Sequence, residues 1–129
     1  MSVEIILAIL FIHWFADFVL QTDWQAKNKS SNGIALLSHT LAYTAVWWIM
    51  ATFYCVLNYV DINDGKTAFK FMVLFPAVTF ICHTVTDYFT SRLNTKLWNS
   101  KEVHWFFVGV GFDQWLHYLQ LFLTYKLLF

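Results

Sequence analysis

The segment His13-Trp14-Phe15-Ala16-Asp17-Phe18-Val19-Leu20-Gln21 sets a histidine, a carboxylate and an amide at i, i+4 and i+8 inside an otherwise apolar run. On a helix these positions share one face, a turn apart. Ionisable groups in such surroundings are costly unless they are paired, so they require partners from elsewhere in the chain. Matching groups recur three times, as His39, as His83-x3-Asp87 and as Asp113-x3-His117. The recurrence predicts one site assembled from four helices.

Composition sets the environment of those helices. Of 129 residues, 59% are hydrophobic, 21% aromatic and only 12% charged, against about 25% charged in soluble domains. A soluble chain of this size cannot hide so much apolar surface, so the expected class is an all-α integral membrane protein. The formal net charge of zero offers no basic patch for nucleic acid. There is no P-loop, no Gly-rich dinucleotide fingerprint and no CxxC motif. Cys55 and Cys82 both lie in apolar segments and read as reduced side chains.

Four apolar runs follow in order: Val3–Gln21, Gly33–Tyr59, Lys66–Arg92 and Val103–Leu128. Each approaches or exceeds the length of about 20 residues that spans a bilayer. Met1 to Glu4 lacks the basic start of a signal peptide. Short connections predict an up-down-up-down four-transmembrane-helix bundle, a single integral membrane domain over residues 1–129. Ser30-Ser31-Asn32 supplies N-cap residues for the second run. Asp61-Ile-Asn-Asp-Gly65 reads as a turn, and Asn99 with Glu102 resembles a capping box. Pro76 is expected to kink the third run, and Gly109-Val-Gly111 to admit a neighbouring backbone.

Lys27, Lys29, Arg92, Lys96 and Lys101 fall in loops one and three, against Lys66, Lys70 and Lys126 on the other side. That bias favours loops one and three in the cytoplasm of a bacterial inner membrane. At the rise of an α-helix, Asp17 and His39 both lie about 9 Å from the first loop. His13, His83, Asp87 and Asp113 fall in the same band, and His117 lies deeper.

Four imidazoles and three carboxylates, with no Lys or Arg expected at that depth, make an anionic, nitrogen-rich cluster. Such residues normally face a bundle interior and mark function. A divalent cation is the simplest neutraliser, and oxygen plus imidazole donors suit zinc, iron or manganese. The candidate ligands are His13, Asp17, His39, His83, Asp87, Asp113 and His117. They are enough for two ions about 3.5 to 4 Å apart, or for one ion with the remaining groups around it. Gln21, Tyr43 and Gln114 are placed to contact the ligands. The alternative is a purely structural polar core, in which aspartates hold histidines and join helices.

The remaining polar and aromatic residues have simpler readings. His104 reads as interfacial. Trp24, Trp98 and Trp105 fit a membrane-interface belt. Thr79, Thr84, Thr86 and Thr90 can satisfy backbone groups freed by Pro76. The pair His13-x3-Asp17-Phe18 and His83-x3-Asp87-Tyr88 suggests two hairpins related by an axis along the membrane normal.

These residues also carry a resemblance. His-x3-Asp-Phe-x2-Gln-x-Asp-Trp, a Leu-x-His after the first loop, a central His-x3-Asp-Tyr and a late Asp-Gln-x2-His resemble a small bacterial and phage membrane-protein family known only as a domain of unknown function. It brings no activity with it. The scattered His and Asp pattern is also similar to bacterial inner-membrane metal-dependent hydrolases.

Three functional expectations follow. The first is a membrane-embedded metal-dependent hydrolase acting on a lipid-linked or membrane-adjacent ester or phosphoester, with Asp17 or Asp87 as general base. The second is a non-enzymatic membrane module: a proton, metal or small-solute conduit, or a modulator of another membrane protein. The third is bis-His haem ligation, which three neighbouring carboxylates disfavour. Four short helices enclose little volume, which favours a homodimer in the bilayer.

Overall fold

A computed structural model describes residues 1–57 and 64–129. The described residues form five helices and no strand. Helix α1, Val3–Trp14, runs directly into a π-helical turn over Phe15–Val19. The short helix α2 is Asp23–Asn28, and α3 is Gly33–Leu57. Helix α4 is Gly65–Asn99, its α-helical parts separated by a second π turn at Lys70–Leu74. Helix α5 is Val103–Leu128. The closest helix pairing is α4 on α5, followed by α3 on α4, and α1 reaches both α3 and α5.

The expectation of four membrane spans needs correction. Two helices, α3 and α4, are long and apolar enough to cross a membrane. Helix α1 has only 12 residues before its π turn. Helix α5 has the length, but Asp113, Gln114, His117 and Gln120 dilute its apolar character.

The element boundaries also differ. The first loop contains α2, begun by a capping box in which Thr22 Oγ1 accepts from the Gln25 N–H and Gln25 Oε1 accepts from the Thr22 N–H. No such box forms at Asn99–Glu102: Asn99 is still helical and Glu102 makes no side-chain cap. Helix α4 therefore continues past Arg92, whose guanidinium bonds the Tyr88 carbonyl and lies over the Tyr88 ring, burying its stem against its own helix. Asn32 caps α3 as expected, its Oδ1 accepting from the Ile34 and Ala35 N–H groups. The end of the second run and most of the expected turn, residues 58–63, lie outside the described residues. Asp64 caps α4 through Lys66 N–H.

Pro76 acts through the π turn just before it. A proline lacks the N–H for the i−4 carbonyl and its ring pushes that carbonyl away. The helix widens there, with the Phe75 N–H reaching back to Lys70 O.

The distribution of side chains is inverted. Leu7, Phe11, Trp48, Phe53, Ile81, Phe89, Phe107 and Phe112 face outward, while among the described residues the buried polar side chains outnumber the buried apolar ones. The apolar core is a small group, Ile9, Ala16, Tyr43, Trp47, Phe75 and Leu121, at one end of the polar layer. Beyond it, towards Glu4 and Tyr125, lies an apolar cavity of ≈ 290 Å³. Cys55 and Cys82 are free.

Gly109 and Gly111 have different roles. A Cβ on Gly109 would collide with the Asn94 side chain of α4, whereas one on Gly111 meets nothing. Helix propensity alone favours alanine by about 1 kcal/mol. Gly111→Ala is expected to raise the thermal unfolding midpoint in detergent. Gly109→Ala is expected to leave it unchanged or lower it, because displacing Asn94 from the close-packed α4–α5 contact cancels that gain.

A candidate metal centre

Asp17 lies within the π turn of α1, and the backbone N–H of Leu20 bonds the Phe15 carbonyl at 3.1 Å across it. Such turns insert one extra residue per turn and re-aim the side chains they carry. Asp17 is 3% exposed. Its Oδ1 lies 3.1 Å from His39 Nε2 and 3.6 Å from His83 Nε2. Gln21, expected one turn further on the same face, falls beyond the end of the helix instead. Its Oε1 is buried without a hydrogen-bond partner, so the expected contact with the cluster is not made.

Helix α4 brings the second carboxylate. Asp87 Oδ2 lies 3.2 Å from His39 Nε2 and 3.7 Å from His83 Nε2. The two imidazole nitrogens stand 3.2 Å apart. One hydrogen on His39 Nε2 cannot serve two carboxylates and a second imidazole together. A cation between them could be held by all four. Asp17, His39, His83 and Asp87 form one group of candidate ligands, all buried. Zinc with bonds near 2.0–2.1 Å makes a tetrahedron with edges of about 3.3–3.4 Å. The measured separations, 3.1 to 3.7 Å, bracket that value.

A second group adjoins it: Asp17, Asp113 and His117. His117 Nε2 is 3.4 Å from Asp113 Oδ1 and 3.3 Å from Asp87 Oδ1. Asp17 belongs to both groups, and the two oxygens of Asp87 face one group each. The donor chemistry fits hard or borderline divalent ions in both.

His13 is fully buried but belongs to neither group. Its Nδ1 meets Tyr43 Oη at 2.8 Å and its Nε2 meets Gln114 Oε1 at 2.8 Å. The Gln114 amide donates to Asp17 Oδ2 and Asp113 Oδ2, both at 3.1 Å. His13 Nε2 also lies 3.7 Å from Asp17 Oδ2. His13 orients Gln114, which in turn fixes two carboxylates, the position of an outer support. Tyr43 also stacks on His83, ring centroids 3.8 Å apart. His83 Nδ1 and Thr79 Oγ1 have no hydrogen-bond partner among the described residues. His104 stands outside the cluster against Trp105.

Residues 5–129 match the family model DUF3307, described as a protein of unknown function. The chain belongs to the DUF3307 family. That description names neither a membrane nor a hydrolase. No curated protein and no solved structure matches the chain.

In this DUF3307 chain the structure adds contacts that helical spacing alone did not give. Lys29, at the end of α2, donates from Nζ to Asp87 Oδ2 at 2.8 Å. The expectation that no Lys or Arg reaches the cluster is thus overturned. A six-residue helix folds the loop back, anchored where Gln25 Nε2 donates to Ser38 Oγ. Burial pulls the Lys29 pKa down, but Asp87 and Asp17 outweigh it and hold the ammonium above its ordinary range. Thr90 Oγ1 lies within hydrogen-bond reach of Asp113 Oδ1, and Gln120 donates to Thr86 Oγ1. These threonines serve the cluster's surroundings as well as their own helix.

Gln114→Leu is expected to strand His13 Nε2, Asp17 Oδ2 and Asp113 Oδ2 together, with about 1–3 kcal/mol lost for each buried group left unpaired. Gln21→Leu removes a buried, unpartnered oxygen and should be neutral or stabilising. Thermal unfolding of the two variants side by side checks the contrast in sign.

Proposed function

We propose that this chain is a membrane-embedded metalloprotein that hydrolyses an ester or phosphoester on a lipid-linked or membrane-adjacent molecule. The observation that supports it most is the pair of adjoining donor groups sharing Asp17. The first supplies four protein donors, the arrangement of a closed site. The second supplies three and leaves a position open, as catalytic sites do. The apolar exterior around a polar interior supports a bilayer as the surrounding solvent.

Asp17, Asp113 and His117 would hold the divalent ion, zinc, iron or manganese, which when bound would supply Lewis acidity and a lowered pKa for water. The protein's own part is positioning and proton transfer. Asp113 is held by Thr90 and Gln114. Asp17, whose Oδ1 faces His39 and His83 while its Oδ2 accepts from Gln114, would serve as a ligand. Asp87 Oδ1, 3.3 Å from His117 Nε2, would accept the proton of an attacking water.

A specific observation favours a second reading. His13, Gln114, Asp17, His39 and His83 form an unbroken run of contacts through the interior, the pattern of a proton relay. A relay works without metal.

Elemental analysis of detergent-purified protein separates the two. The metalloprotein reading expects bound divalent metal, stripped by chelators and released on acidification as imidazole ligands protonate. His83→Ala and Asp87→Ala should lose metal and hydrolysis while staying helical. Metal-free wild-type protein whose Asp87→Asn variant loses proton flux would establish the relay instead.

A further inference from the structure

The cluster has a wet edge and a dry interior. Its histidines are 0–1% exposed. Lys29 and Asp113 are the most open members, with side chains 17% and 12% exposed. Asp87 links the ammonium to the three-donor group: its Oδ2 accepts from Lys29 at 2.8 Å and its Oδ1 lies 3.3 Å from His117 Nε2.

Lys29 has one role without ions, in which it neutralises Asp87. With both donor groups occupied, that role is taken over. An ion bound to Asp87 Oδ2 and the Lys29 Nζ 2.8 Å from the same oxygen repel each other. Two divalent ions outweigh three carboxylates, and Lys29 adds a further positive charge. A buried excess of positive charge is unfavourable unless an anion compensates it. The ammonium carries three donors and needs several acceptors. A phosphoryl group, with multiple charged oxygens, supplies both acceptors and charge. A neutral carboxylic ester supplies an acceptor but no charge.

We propose that Lys29 and the open Asp17–Asp113–His117 group form a phosphoryl-binding subsite, so that the substrate is a phosphoester rather than a carboxylic ester. This rests on the metalloprotein reading. The phosphoryl group belongs either to a lipid headgroup or to a free phosphate compound, and the chemistry at Lys29 is the same for both.

The test uses the full chain in detergent, loaded with Mn²⁺, with inorganic phosphate as the probe and its ³¹P relaxation as the readout. Wild-type protein should enhance relaxation saturably. Lys29→Gln should keep its Mn²⁺ content and weaken phosphate binding about 10- to 100-fold, the loss of a charge-assisted hydrogen bond. Lys29→Arg should retain most of the binding. Stronger competition by short-chain phosphatidic acid than by glycerol phosphate points to the lipid source, and the reverse to a free phosphate compound. Phosphate binding unchanged in Lys29→Gln, or no phosphate binding by Mn²⁺-loaded wild type, overturns this inference alone. Failure of the wild type to hold Mn²⁺, Zn²⁺ or Fe²⁺ overturns the metalloprotein reading and this inference with it.

Discussion

Two carboxylates, Asp17 and Asp87, sit 3% and 1% exposed in a protein whose outer surface is apolar. Neither can be solvated outward and neither is satisfied by its own helix. Each must be met by donors from other elements, and the packing of the helices follows from that need. Asp17 on α1 requires His39 from α3 and Gln114 from α5. Asp87 on α4 requires His39, His117 from α5 and Lys29 from the α2 segment. With either carboxylate replaced by an apolar side chain, each histidine facing it would lose one of its buried partners. In a bilayer, where apolar association between helices is weak, these polar contacts and close steric fits such as Gly109 against Asn94 carry much of the specificity.

The arrangement was legible wherever it depended on helical spacing. His-x3-Asp on α4 and Asp-x3-His on α5 keep their residues on one face, and both faces point inward. The bounds of α5 and the Asn32 cap could be read from local residue chemistry alone. The reading broke down where the backbone leaves α geometry. The π turn at Phe15–Val19 removes Gln21 from the face defined by His13 and Asp17, and no side-chain pattern announces a π turn. Helix α4 was expected to end at Arg92 because a charge ordinarily marks the water boundary. Here the guanidinium folds onto Tyr88, and the helix goes on to Asn99.

Lys29 illustrates a different limit. Its charge was visible, and its position in a polar loop made it one more basic residue on that side. Only the fold of α2, set by the Thr22–Gln25 box and the Gln25–Ser38 bond, carries its ammonium back onto Asp87. Sequence spacing measures distance along a helix axis. It is silent about a loop that turns through a short helix and returns to the interior.

The same contacts explain why the His13 and His83 motifs, alike in sequence, diverge in use. Both start a His-x3-Asp turn, and the two aspartates occupy comparable places at the centre. His83 Nε2 faces those aspartates, whereas both nitrogens of His13 are engaged by Tyr43 and Gln114. The difference originates on the partner helices. Gln114 lies next to Asp113 on α5 and caps the cluster on the α1 side, and α3 presents Tyr43 one turn from His39. The Tyr43 ring stacks on His83 while its hydroxyl meets His13. One aromatic side chain thus supports a candidate ligand by its face and an outer histidine by its edge. An approximate repeat in the sequence becomes an asymmetric cluster, with four candidate donors on one side and three on the other.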